Sequence, residues 1–357
     1  MKQSQKNWAI LGAVFAVIAG LAYANFHQGQ RGLVNANGVS STATPSGTRK
    51  VLTVAFVPVT CHLTCPVTDF ASKTSTTGTE FDAQLSTGFP AMVEAMKANR
   101  LDAAFLTVPL AMQLREQGVP VKICCLGHRN GSALMVRADS TAKTVADLKG
   151  KTIAIPSPFS DENLLLRDLM QRQGLHPGDI NIVTMKPPDM PVALAGKQID
   201  GFIVAEPFCS AVELNHTGRE LYSAKDVWPN YISCALVVSE SLIKKDPAVV
   251  RDLVRGIVGS GEWAEHNRED AAKLVAPYFR QKPSLLNYVL THPRDRVSYT
   301  DLTPGDAEMQ HIEDLGIQLG ILHKHTPMSE LMDKSFIPAT VAPAKIDVSK
   351  IGTMPKA

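Results

Sequence analysis

Cys61, His62 and Cys65 fall together in the stretch VPVTCHLTCPVTDF, residues 57–70. Thiolate, imidazole and thiolate form a donor set that suits a soft metal ion. The Cys-x3-Cys spacing with histidine inside it is not the usual zinc pairing, so a fourth donor has to come from elsewhere; Cys209 and Cys234 are the candidates. Two other fates fit the same residues. A disulfide between Cys61 and Cys65 is open if a helix begins there and sets them about one turn apart, and burial as free thiols packed like small apolar groups is a third reading. The haem-attachment pattern Cys-x-x-Cys-His is absent, and no Gly-x-Ser-x-Gly or His-Glu-x-x-His motif supports a hydrolase.

The elements that must position these residues alternate in type. KVLTVAFVPVT (50–60), TEFDAQLS (79–86) and LDAAFLTVP (101–109) read as strands, the first apolar and β-branched. GFPAMVEAMKANR (88–100) carries apolar residues at helical spacing, and LAMQLREQG (110–118) reads as a helix closed by Gly118. VKICCLG and SALMVRAD give two more strands around HRNG. The pattern then restarts. A long helix follows PSPFSDEN, and MPVALAGKQIDGFIVAEPFC repeats the order helix, polar turn, Asp, strand, proline already met in AMVEAMKANRLDAAFLTVP. Two such units predict two α/β lobes with mostly parallel sheets. After residue 247 the chain turns helical, and the stretch from residue 336 is proline-punctuated.

In open α/β sheets ligands gather beyond the carboxyl ends of the strands. That rule selects loops carrying Thr60, Thr64, Ser86, Thr107, Asn130, Ser157, Ser160 and Glu206. Ser157 or Ser160 could cap the helix that starts near Asp161, and its free N–H groups would favour an anion or a carbonyl.

The 357 residues suffice for two compact lobes, and a formal charge of +2 with scattered Lys and Arg argues against nucleic-acid binding. Six cysteines in a chain of this size are too sparse for a disulfide scaffold. Residues 1–24 have Lys2 and Lys6, an apolar run and Ala22-Tyr23-Ala24, the layout of a secretory signal cut after Ala24. An uncleaved anchor fits too, since the run approaches the ~17 residues that span a bilayer. Either outcome puts the remainder outside the cytoplasm. Residues 25–49 are rich in Gly, Ser, Thr and Asn and read as a flexible linker.

KPPDMPVALAGKQIDGFIVAEPF (186–208) resembles the second-lobe segment of the nitrate/sulfonate/bicarbonate class of ABC-transporter substrate-binding proteins. GFPAMVEAMKANRLDAAFLTVP resembles its first-lobe counterpart, HRNGSALMV its Asn-Gly crossing, and DVWPNYISCALVVSESLIKKDPAVVRDLVRGIV its return to the first lobe. The likeness runs over roughly residues 50–330. It implies a type II periplasmic-binding-protein fold, an α/β architecture of two lobes with a hinge and an interlobe cleft. Lobe 1 is expected at 50–138 plus 235–335, lobe 2 at 139–234, and a tail at 336–357.

Carried over by position, the ligand-binding residues are Thr60, Cys61, His62, Thr64, Gly88, Thr107, Asn130, Gly131, Ser157, Ser160 and Glu206. Cys61, His62 and Cys65 remain candidate metal ligands. The function implied is a non-enzymatic receptor in the periplasm, a monomer without a cofactor that delivers a small solute to an ABC permease. The N-terminus could hold it to the membrane. The solute could be a sulfonate, an oxyanion, a heterocycle or a metal complex. Where nitrate and bicarbonate binders resemble one another in a Gly-Gly-Thr-His loop, this chain has PFSDEN, which removes a histidine and adds Asp161 and Glu162. That change weighs against small anions, although Arg129 could compensate. Rival readings are a metal-dependent enzyme similar to thiamine-pyrimidine synthases and a receptor serving a membrane sensor.

Overall fold

The computed structural model describes residues 50–72 and 75–351; the signal segment and linker expected at 1–49 lie outside the described residues. In chain order the strands are β1 (Val51–Phe56), β2 (Glu80–Leu85), β3 (Ala103–Thr107), β4 (Val121–Asn130), β5 (Ser132–Arg137), β6 (Thr152–Ile155), β7 (Asn181–Thr184), β8 (Gly201–Ala205), β9 (Gly218–Ser223), β10 (Ile232–Ser239) and β11 (Val297–Ser298). They form two sheets, ordered β11-β4-β10-β3-β1-β2 and β7-β6-β8-β5-β9. β3, β8 and β10 are buried at every position. An unbroken apolar run in a strand is what a sheet covered on both faces requires.

In each sheet the strand that arrives from the other lobe runs backwards. β1, β2 and β3 are parallel, whereas β10 pairs antiparallel with both β3 and β4. Likewise β6, β7 and β8 are parallel, and β5 is antiparallel to β8 and β9. A chain that leaves one sheet at its carboxyl edge and enters the next through the facing edge can only run against its new neighbours. The two reversed strands therefore bring the carboxyl edges of both sheets to face the crossings, and the loops there carry the polar residues.

The first crossing is shorter than the sequence suggests. HRNG is not a turn between two strands of one sheet: β4 runs through His128 to Asn130, and β5 begins two residues later in the other sheet. Residues 132–137, expected in lobe 1, thus belong to the second sheet, because their ladder partners are β8 and β9. Residues 232–234, expected in lobe 2, belong to β10 of the first sheet. Asn130 and Gly131 turn the chain with φ of 67° and 81°, a region that favours glycine and tolerates asparagine. The Asn130 amide donates to the Tyr231 carbonyl at 2.7 Å, so the outgoing and returning chains are tied side by side as a hinge.

One core runs from the first sheet, through the helices Pro247–His266 and Arg268–Phe279, to the inner face of the second. A smaller core lies on the other side of the second sheet. β9 is absent from the sequence reading; only Gly218 of its six residues is buried, so no apolar alternation marks it. No helix among the described residues is long and apolar enough to cross a membrane.

At Gly131 a Cβ would lie 2.7 Å from Val297 Cγ1 and 2.9 Å from His128 Cε1. Clash and positive φ act together, so Gly131→Ala is expected to destabilise the protein by about 1–3 kcal/mol. A lowered midpoint in urea unfolding with unchanged slope checks this; an unaltered midpoint refutes it.

Candidate functional site

β1 ends in a 3-10 turn, Thr60–His62, that runs directly into the helix Thr64–Ala71. The turn is pressed against β4: a Cβ added to Gly127 would sit 2.1 Å from the Cys61 carbonyl oxygen. Only glycine admits this approach. It aims Cys61 across the sheet end at Cys234 on β10, with the two Sγ atoms 2.8 Å apart. One donor atom from each of Cys61, His62 and Cys234 lies within 4.8 Å of the others, and all three residues are buried.

The cluster therefore has Cys234 where the sequence reading placed Cys65. Cys65 falls on the far side of the turn, with its Sγ directed at the Val54 carbonyl at 3.6 Å. All six cysteines are free, so Cys61 and Cys65 form no disulfide. Cys209, the other candidate donor, turns its thiol to the Val204 carbonyl at 3.1 Å.

Burial pushes the Cys61 thiol up, but its bond with Cys234 and the neighbouring His62 together hold it well below the ordinary thiol range. Cys234 is pushed up by burial and by its bond to Cys61. His62 Nδ1 lies 2.9 Å from the Val57 nitrogen and 3.1 Å from the Val57 oxygen, while Nε2 has no partner. His128, which the sequence placed in a turn, is buried in β4 with Nε2 2.9 Å from Thr60 Oγ1. Burial lowers its pKa to about 4, so it is neutral at physiological pH. Tyr299 OH donates to the Thr60 carbonyl at 3.0 Å and closes this side of the turn.

The second lobe supplies carboxyls. Ser160 caps the helix Asp161–Arg172, accepting from the Asn163 amide at 3.1 Å, and Ser157 accepts from the Phe159 amide at 3.1 Å. Both serines thus shape the loop that presents Asp161 and Glu162. Asp161 Oδ2 accepts from the Val108 amide at 3.2 Å, at the start of the first-lobe helix Val108–Glu116. Thr107 Oγ1 donates to the Phe159 carbonyl at 2.7 Å, fastening the same seam. Burial pushes Asp161 well above the carboxylate range, with Glu162 adding to it. Burial also raises Glu162 to about 7, despite the hydrogen bond that Ser132 Oγ donates at 3.1 Å.

The Glu206 carbonyl accepts from the Thr60 amide at 2.8 Å. Its carboxylate accepts from the Ser210 amide, the Ser210 hydroxyl and Arg296 at 2.9, 2.8 and 2.8 Å. Arg296 and Tyr299 are contributors that the sequence reading missed. Arg296 lies 90 residues from Glu206 in a stretch with no motif, and only the fold joins them. Arg129, read as a possible counter-charge to the cleft acids, is spent on Glu308 at 2.8 Å and on the Asp301 carbonyl at 2.9 Å.

Gly88 stands apart from this cluster. It precedes the helix Phe89–Lys97 and lines a groove of about 280 Å³ with Val57, Ser86, Lys186 and Pro187. Asn130 and Gly131 form the hinge described above, and Thr64 lies buried at the start of its helix. Buried atoms without a hydrogen-bond partner include His62 Nε2, Thr64 Oγ1 and His128 Nδ1 from the first lobe and Asp161 Oδ1 and Glu162 Oε2 from the second. Tyr231 OH, at the return crossing, is another. Native proteins pair nearly all such atoms, so these are the buried groups left free to meet a ligand or water.

Two α/β lobes, crossed twice by the chain and closed on a buried polar seam, define the bilobed fold of periplasmic binding proteins. The chain belongs to the NMT1-like family, whose model matches residues 46–277. It is 29% identical over 210 residues to the nitrate import ATP-binding protein NrtC of Synechocystis, covering 53% of this chain and 31% of that protein. It is 28% identical over 152 residues to the taurine-binding periplasmic protein of Escherichia coli, covering 42% of this chain and 46% of that protein. The chain therefore spans under half the length of either curated relative. Among solved structures, the ligand-binding component of an ABC-type import system from Staphylococcus aureus, with zinc bound, matches at a TM-score of 0.72 and 24% identity, covering 80% of this chain and 97% of that one. The resemblance read from the sequence motifs holds.

Glu162 provides a pH test. Its pKa rises from 4.5 to about 7 on folding, so the native state keeps a proton that the unfolded chain releases between these values. The resulting stability is complete below pH ~4.5 and is lost as pH rises through ~7, a total of about 3 kcal/mol. Asp161 and Asp69 are also raised and tilt the profile the same way. Glu162→Gln is expected to flatten the fall in melting temperature between pH 5 and pH 8; a profile as steep as the wild type's refutes the assignment.

Proposed function

We propose that the chain is the solute-binding receptor of an ABC import system, exported by residues 1–24 and working in the periplasm as a monomer. It passes a small solute to a membrane permease and performs no chemistry on it. The observation that carries this reading is the set of buried, unpartnered polar atoms contributed by both lobes at the carboxyl edges of the sheets. A ligand held there would touch His62 and Thr64 on one side and Asp161 and Glu162 on the other, so binding would favour closure about Asn130 and Gly131. The loops and helix ends that surround the seam are the places where sheets of this type receive ligands.

The cleft does not favour a nitrate-like anion. The N-terminus of the helix Val108–Glu116, a natural anion position, is taken by the chain's own Asp161. The nearby cation Arg296 is held by Glu206 and Glu213 at 2.8 and 3.3 Å. Cationic and neutral solutes fit the remaining groups better than nitrate or a sulfonate does.

A thermal-shift panel of sulfonates, oxyanions, heterocycles and soft metal ions tests both points. At a hundredfold excess over Kd a true ligand stabilises the native state by about 2.7 kcal/mol, and it is expected among the heterocycles or metal ions. Nitrate and sulfate are expected to leave the melting temperature unchanged. A rise with nitrate removes the charge argument; no response to any solute removes the receptor reading.

A further inference from the structure

We propose that the cargo site holds a thiophilic d10 metal ion on Cys61 Sγ, Cys234 Sγ and His62 Nε2, with Cu(I) the best-matched ion; this rests on the receptor reading above. The geometry is the first reason. The three side chains come from two elements, the 3-10 turn after β1 and the middle of the first sheet, yet one donor atom from each lies within 4.8 Å of the others. Two sulfurs and one imidazole nitrogen are soft donors that select Cu(I) or Zn(II) over hard cations. Three donors suit Cu(I), whereas a closed zinc site takes four.

The state of His62 is the second and independent reason. The residue is fully buried, and its Nε2 has no hydrogen-bond partner. The ring is held by Nδ1 against the Val57 backbone and flanked by Phe105 and Phe89 at 5.2 and 6.1 Å between centroids. The Val57 amide donates to Nδ1 at 2.9 Å, which leaves the ring proton on an unpartnered Nε2; a metal ion would take Nε2 as that proton moves to Nδ1, 3.1 Å from the Val57 carbonyl. A backbone carbonyl holding the other ring N–H is the usual support of a metal-binding histidine. A packing histidine would gain nothing from leaving that nitrogen bare in the interior.

The surroundings add two carboxyls. Asp161 and Glu162 act electrostatically on Cys234; burial favours the protonated form of both, and a bound cation would draw them toward the charged form. The groove lined by Val57, Ser86 and Pro187 lies beside the cluster, because Val57 is also the residue whose backbone holds the His62 ring.

The test titrates the full mature protein, reduced and kept free of oxygen, with Cu(I) in competition with a chromophoric Cu(I) chelator. Melting temperature is followed in the same samples. One equivalent is expected to be withdrawn from the chelator, with X-ray absorption showing two sulfur neighbours and one nitrogen. Cys61→Ala, Cys234→Ala and His62→Gln are each expected to weaken uptake by roughly a hundredfold or more. Cys65→Ala, equally buried but outside the cluster, controls for damage to the fold and is expected to bind as the wild type does. Failure of the wild-type protein to compete, or uptake unaltered in the Cys61 and Cys234 variants, overturns the proposal. If a heterocycle raises the melting temperature while Cu(I) does not, the metal assignment falls and the receptor reading stands.

Discussion

Asp161 sits where neither isolation nor full ionisation is available to it. It belongs to the second lobe, but its carboxyl oxygen receives the first amide of a first-lobe helix. A helix start favours negative charge, and burial opposes it; here burial wins and the pKa rises. The bond consequently holds the lobes together, fills an anion position from within, and leaves the second carboxyl oxygen turned toward an interior with no partner. The contact between the lobes, the occupied helix start and part of the response to pH follow from this one placement.

The placement depends on the sheets. Because β5 and β10 each enter a sheet from the edge at which the other lobe's strands end, the two carboxyl edges converge on Asn130 and Tyr231. Glu206 leaves β8 at the same level and receives the Thr60 amide and Arg296. A buried carboxylate that lost its cation would cost about 3–5 kcal/mol, which ties the loop around Arg296 to the seam.

Much of this was readable in one dimension. The apolar runs that became β1, β3 and β8, the helix cap at Ser160, and the repeated order of helix, Asp, strand and proline carry the fold in their local spacing. β9 was not readable, since a mostly exposed strand has no alternation to betray it. The crossing at Asn130 was visible as a turn, but local sequence says nothing about which sheet receives the strand that follows. Cys65 shows the limit at the site: four residues from Cys61, it is near in sequence and points to the opposite side of the turn.

Local pattern by itself determined the class of fold, the loops that could hold a ligand, and the donor types present in them, because strand and helix periodicities and turn chemistry are properties of neighbouring residues. Only the tertiary structure decided that Cys234, 173 residues away, completes the cluster with Cys61 and His62, that Asp161 occupies a helix start in the other lobe, and that Arg296 answers Glu206 rather than a solute. These are pairings across strands and lobes, and their partners are chosen by sheet order and by the close approach at Gly127, quantities that no stretch of adjacent residues encodes.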